Sequence, residues 1–268
     1  MKPARFLHLV AHRGDASGHP ENTLPAFRAA LEMGVRFVDL DVHLSANGVP
    51  VVVRNHEVII GNDLTTVAEL TAAELAQLDV SEPTRFGESF KGTCIPRLVD
   101  ALSLLTKRPE TTVFVTLGRA SLSHFGHDQV IAQVAETLKP FRSRCIVVCA
   151  DLPAVHRARL IAGFQIGWVL PACDNHTRLK YEALQPEYVF CDRELLQAGA
   201  LWRGPWRWVV RDVPNIDVAL DLAARGADFV ATTNVKDLSE AMRAHAAQTR
   251  QLEAASFPDD ATTVARID

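Results

Sequence analysis

Apolar residues along this chain come in short runs, and the stretches between them repeat with a helical period. The runs are "FLHLVAH" (6–12), "RFVDLDVHL" (36–44), "VPVVVRN" (49–55), "TTVFVTLG" (111–118), "RCIVVCA" (144–150), "FQIGWVL" (164–170), "EYVFCD" (187–192), "RWVVRDV" (207–213) and "DFVATT" (228–233). Each is rich in β-branched or aromatic residues, which predicts strands. Between them, "TLPAFRAALEMG" (23–34) sets Leu24, Phe27, Leu31 and Met33 largely on one side and stops at Gly34, the pattern of an amphipathic helix with a glycine end. "NIDVALDLAARGA" (215–227) has the same form, with Asn215 as N-cap and Gly226 after the last turn; "TAAELAQL" (71–78) and "LVDALSLL" (98–105) are two more. Strand–helix repetition of this kind predicts a parallel sheet. About eight units over about 245 residues fit a TIM (β/α)₈ barrel. An open doubly wound sheet is the weaker alternative, because no Gly-x-Gly-x-x-Gly follows the first strand.

No linker-like stretch interrupts residues 1–247, so one α/β domain is expected there. Residues 248–268 lack a clear apolar period and are expected to form a flexible C-terminal tail. The segment 55–95 is long for a barrel connection but carries its own helix.

Composition narrows the function. The chain has 268 residues, 48% hydrophobic and 22% charged, enough for a substantial core. The net charge is −4 and no dense basic stretch occurs, so neither nucleic acid nor a membrane surface is an expected partner. No run of about 18 apolar residues predicts a membrane span, and "MKPARFLHLVAHRG" is too short and polar for a signal peptide. A cytoplasmic protein is the expectation. The five cysteines are odd in number and form no Cys-x-x-Cys pair, which reads as buried free thiols rather than a zinc site.

The working face of such a barrel lies at the C-terminal ends of its strands. That selects His12-Arg13-Gly14 after the first strand, Asp39, Asp41 and His43 on one face of the second, and Arg54-Asn55-His56 after the third. Thr116 and Gly118 end the fourth. Two carboxylates at i and i+2 aimed into one space repel unless a cation lies between them, either a metal or an arginine. Oxygen donors suit Mg²⁺ or Ca²⁺. His12 is a candidate for proton transfer and Arg13 for gripping an anionic oxygen. Together these groups suggest hydrolysis of a phosphate ester. An internal Arg13–Asp39 or Arg54–Asp41 ion pair with no metal is the alternative.

The stretch "AHRGDASGHPENTLPAFRAALEMGVRFVDLDVHLSANGVPVVV" resembles the opening of glycerophosphodiester phosphodiesterases. His-Arg-Gly, Pro-Glu-Asn-Thr, an acidic-x-Asp strand and a Gly-Val-Pro-Val-Val strand follow in the family's order. The likeness continues through "RFGESFKGTCIPRL" (85–98), "VFVTLGRASLSHFG" (113–126), "LWRGPWRWVV" (201–210) and "LAARGADFVATT" (222–233). It implies a TIM barrel of lipid metabolism that cleaves a glycerophosphodiester to glycerol-3-phosphate and an alcohol with a bound divalent metal. By that resemblance His12 is the first catalytic histidine, Arg13 contacts the phosphate, Glu21 and Asn22 support the site, and Asp39 and Asp41 are metal ligands. Trp208 is a candidate apolar wall for the substrate.

The same comparison exposes departures. Asp39 stands where the family usually carries Glu, one methylene longer, a shortfall of roughly 1.5 Å by bond lengths. Arg54 and Asn55 fall where a His-Asp pair supplies the second acid/base. Thr116 and Gly118 replace a Glu-x-Lys pattern, Ala231-Thr232 replaces Glu-Thr, and Arg211 stands where an acidic residue is common. An arginine such as Arg54 beside Asp39 and Asp41 could replace the metal's charge but cannot exchange a proton near neutral pH. If the third strand continued, His56 would share Arg54's face and could stand in for the missing histidine. Two readings remain: a phosphodiesterase with weakened or altered activity, or a pseudoenzyme that binds a polyol phosphate or a protein partner.

Overall fold

The computed structural model describes residues 7–60 and 63–256. In chain order its strands are β1 (His8–His12), β2 (Phe37–Leu44), β3 (Pro50–Val52), β4 (Glu57–Ile60), β5 (Asp63–Thr66), β6 (Thr112–Leu117), β7 (Cys145–Cys149), β8 (Gln165–Val169), β9 (Tyr188–Asp192), β10 (Arg207–Arg211) and β11 (Phe229–Thr232). Eight of them, β1, β2 and β6 to β11, pair in parallel, and β1 bonds both β2 and β11. The sheet therefore closes on itself, and helices follow the strands around it: a TIM barrel, as the strand–helix alternation predicts.

Alternation along each strand divides the side chains between two cores. Val10, Phe114, Phe190, Val209 and Phe229 fill the barrel interior, with Phe37 packed against them. The intervening residues, such as Val38, Leu40, Val115 and Val210, face the helices. Each large apolar side chain so buried contributes about 1.5–3 kcal/mol. The interior is crowded enough to constrain one backbone position: a Cβ on Gly167 would stand 2.7 Å from the Phe190 ring.

The third predicted strand departs from expectation. It is short, antiparallel to β2 and outside the closed barrel, and it ends at Val52. Two residues beyond lies Arg54, off the strand. The long connection that follows opens with an antiparallel hairpin, β4 with β5, before the short helix Ala72–Leu75. At the C-terminal end the last helix runs Val235–Ser256, into the stretch expected as a tail; residues 257–268 lie outside the described residues. Among the described residues, no helix is long and apolar enough to cross a membrane.

Candidate active site at the barrel mouth

The parallel register of β1 and β2 sets His12 beside Asp39. Both side chains point inward and are almost fully buried. His12 Nδ1 bonds Asp39 Oδ2 at 2.8 Å, and the other carboxylate oxygen accepts a hydrogen bond from Thr116 Oγ1 at 3.0 Å. Burial works against ionising Asp39, but the hydrogen bond and charge of His12, the charge of Arg211 and the Thr116 hydroxyl together hold its carboxyl below the ordinary range. An ionised Asp39 fixes His12 as the Nδ1–H tautomer and leaves Nε2 to face a ligand. No described residue bonds Nε2.

Arg13 follows in a left-handed backbone conformation, φ 61°, and Gly14 continues it at φ 81°. A Cβ on Gly14 would lie 2.7 Å from the backbone carbon of Ala26, so the turn needs glycine both for its angle and for its close approach to the helix Leu24–Glu32. The Arg13 amide donates to the Asp39 carbonyl, and its own carbonyl accepts from the Asn22 amide. Thus the Pro-Glu-Asn-Thr segment is laid against His-Arg-Gly by main-chain bonds, and Thr23 caps the helix that follows.

Side chains complete the join. Arg13 Nε donates to Asp41 Oδ2 at 2.7 Å and NH1 donates to Glu21 Oε2 at 3.0 Å. Asn22 Nδ2 donates to the same Asp41 oxygen at 3.0 Å, while its Oδ1 accepts from the Asp41 amide at 3.1 Å. Burial disfavours the Arg13 charge, but Asp41 and Glu21 more than offset it and raise the guanidinium's pKa. The expected internal ion pair is present with a different partner, Arg13–Asp41.

Arg54 does not fold over Asp39 and Asp41. It is 56% exposed and lies 3.6 Å from the second oxygen of Glu21. His56 is likewise half exposed, 3.9 Å from Glu57, with its ring 6.4 Å from that of His43. Because β3 ends early, His56 lies off that strand, and its described neighbours are Glu57 and His43. The buried imidazole at this edge is His43: its Nδ1 bonds Ser121 Oγ at 3.1 Å and its Nε2 the Arg54 carbonyl at 3.4 Å. Burial is the chief cause of its lowered pKa. The inward side of β2 pointed to His43, but nothing in the sequence pattern showed that Gly118 and Ser121 would receive it.

Trp208 does not wall the pocket. On β10 the inward residues are Val209 and Arg211, so Trp208 turns to the helix layer, where its indole donates to the Trp202 carbonyl at 2.9 Å. Arg211 does reach the mouth, bonded through Nε to Asp192 Oδ1 at 2.7 Å.

The side chains present do not fit a Mg²⁺ or Ca²⁺ centre. Such ions need six or more oxygens in their shell. Both Asp39 oxygens are engaged, one Asp41 oxygen carries two donors, and Thr116 and Gly118 offer no third carboxylate. Among the described residues, no group of three His, Cys, Asp or Glu side chains converges as a metal site.

A sequence model of the Glycerophosphoryl diester phosphodiesterase family matches residues 12–137, the span from His12 past Gly118. Over that span, just under half of the chain, it is similar to the glycerophosphodiester phosphodiesterase family. A glycerophosphodiester phosphodiesterase of Caldanaerobacter subterraneus is 38% identical over 102 residues, 36% of this chain and 40% of that one. Glycerophosphodiester phosphodiesterase 1 of Bos taurus is 30% identical over 156 residues, 58% of this chain and 46% of its own. The matched stretch is thus less than half the length of either relative. In fold the likeness is more extensive. A phosphodiesterase of Oleispira antarctica, solved in complex with the product sn-glycerol-3-phosphate, superposes with a TM-score of 0.74 over 90% of this chain and 97% of that one at 20% identity. Within the matched span, Arg13, Glu21, Asn22 and Asp41 form one bonded network, with the His12–Asp39 pair beside it.

Proposed function

We propose that this chain binds the glycerol phosphate end of a glycerophosphodiester at the barrel mouth and hydrolyses the diester more slowly than a family member with two acid/base histidines. The observation that carries this reading is the buried His12–Asp39 pair, 2.8 Å apart, beside an Arg13 fastened to Asp41 and Glu21. Asp39 orients the imidazole, whose Nε2 is then the atom that exchanges a proton with water or the leaving alcohol. Arg13 grips a phosphoryl oxygen. Arg54 stands where a second histidine is expected and cannot transfer protons near neutral pH, a loss worth about 10²–10⁴ in rate.

A second reading is favoured by Arg54 itself. Paired to Glu21 at the rim, it adds binding charge without adding acid/base capacity, as in a protein that holds a polyol phosphate without turnover. One assay separates the two: release of sn-glycerol-3-phosphate from glycerophosphocholine by the wild-type chain and by His12→Ala. Turnover that disappears in His12→Ala supports the phosphodiesterase. Glycerol phosphate binding with no turnover in either protein supports the binding protein, and turnover that survives His12→Ala sinks the assigned role of His12.

A further inference from the structure

We propose that guanidinium charge replaces a divalent cation in this pocket, with Arg13 and Arg54 forming a two-arginine clamp that takes an anionic phosphate group directly. The ligand rests on the phosphate-binding reading above; the claim about metal rests on the donor set alone.

The clamp is built around Glu21. One of its oxygens accepts from Arg13 NH1 at 3.0 Å and the other lies 3.6 Å from Arg54 NH1, so a single carboxylate spans two guanidiniums. Arg13 is held from a second side by Asp41. Those two bonds use two of its five N–H donors, and no described residue takes the rest. Arg54 is more than half exposed, with one ion pair at long range, and its backbone carbonyl is tied to His43. A pair of arginines with spare, coplanar donors matches the oxygens of a phosphate better than it matches any neutral group.

The acidic side of the pocket is closed to a cation by the same contacts. Asp39 is buried and satisfied at both oxygens by His12 and Thr116. On Asp41 only Oδ1 lacks a described donor, and a cation there would lie on the same carboxylate that accepts from Arg13 Nε at 2.7 Å, placing two positive charges side by side. Position 118, next in line on the inward face, is glycine, and the His43 ring lies in the space its side chain would fill. Arg211, anchored on Asp192, adds a further fixed positive group at the mouth.

Calorimetric titration of the full chain tests this. Expected are no saturable binding of Mg²⁺ or Ca²⁺ and binding of sn-glycerol-3-phosphate that EDTA leaves unchanged. Arg54→Ala, at an exposed position that does not threaten the fold, should weaken that binding about tenfold, with a larger loss in Arg13→Gln. Stoichiometric binding of either cation that disappears in Asp41→Asn would overturn the proposal, as would glycerol-3-phosphate binding abolished by EDTA. Inorganic phosphate is the control for the ligand. If it binds and glycerol-3-phosphate does not, the arginine clamp stands and the glycerophosphodiester reading fails; if neither anion binds, the clamp itself is refuted.

Discussion

His43 occupies the space that a side chain on residue 118 would fill: a Cβ built on Gly118 would stand 2.6 Å from the imidazole Nδ1 and closer still to Cε1 and Nε2. Glycine at 118 is therefore what admits the ring, and the ring in turn bonds Ser121 and the Arg54 carbonyl. Gly118→Ala should displace His43 and cost about 1–3 kcal/mol by overpacking, seen as a lower urea midpoint. The double variant Gly118→Ala/His43→Ala should recover part of that loss, since the two positions are coupled. Strictly additive losses would show that the ring escapes without strain.

Arg13 joins three parts of the mouth, so its removal acts on the fold as well as on binding. Arg13→Ala leaves Asp41 and Glu21 without their guanidinium and should destabilise the chain by about 3 kcal/mol. Arg13→Lys keeps the charge but loses the fork that serves two carboxylates at once, and should recover only part of the loss. Equal midpoints for wild type and Arg13→Ala in chemical denaturation would refute the account.

At the opposite end of the barrel, His8 sits with its ring 5.2 Å from Phe37 and 5.0 Å from Phe229. Burial first, then the charges of Arg36 and Arg207, hold its imidazole below the ordinary 6.5. The folded chain thus binds fewer protons here than the unfolded chain, and stability falls as pH drops below that ordinary value and on through the folded one. Unfolding midpoints measured from about pH 7.5 to about pH 5 should decline less steeply in His8→Phe than in wild type. Parallel declines would mean that other groups set the acid limb.

Gly167 tests the packing of the barrel interior without touching the mouth. A methyl group there would meet the Phe190 ring at 2.7 and 3.0 Å and Val148 at 3.1 Å. Gly167→Ala should cost about 1–3 kcal/mol and leave phosphate affinity unaltered; a neutral substitution would show that Phe190 can rotate away.

The barrel was legible because its two periods are strong. Runs such as "TTVFVTLG" and "RCIVVCA" became β6 and β7 within a residue or two at each end, and the inward set Asp39, Asp41 and His43 followed from alternation alone. The His12–Asp39 pairing was not read from the sequence, where Asp39 was expected on a metal or on Arg13; it follows from the register of two neighbouring strands. What sequence pattern could not supply was geometry set by distant contacts. "VPVVVRN" has a strand's composition, but only Pro50–Val52 pairs, so Arg54 and His56 leave the sheet and point to the rim. Trp208 was misplaced for a simpler reason: a tryptophan near the mouth suggests a substrate wall, yet alternation from Arg211 puts it on the helix side. The partnership of His43 with Gly118 joins residues 75 positions apart through the absence of a side chain, a signal that no periodicity carries.

The left-handed backbone of Arg13 sets stability against function at one residue. A side chain at φ 61° costs on the order of 1–3 kcal/mol relative to a residue at ease there, and Asp212, at φ 60° beside Arg211, stands in the same position. Glycine at 13 would remove the backbone cost and, with it, the guanidinium that links Asp41 to Glu21. A library of this chain screened for phosphate binding should therefore hold arginine at 13 against that cost. At 212, where the side chain has no part in the clamp, the same screen should let glycine accumulate.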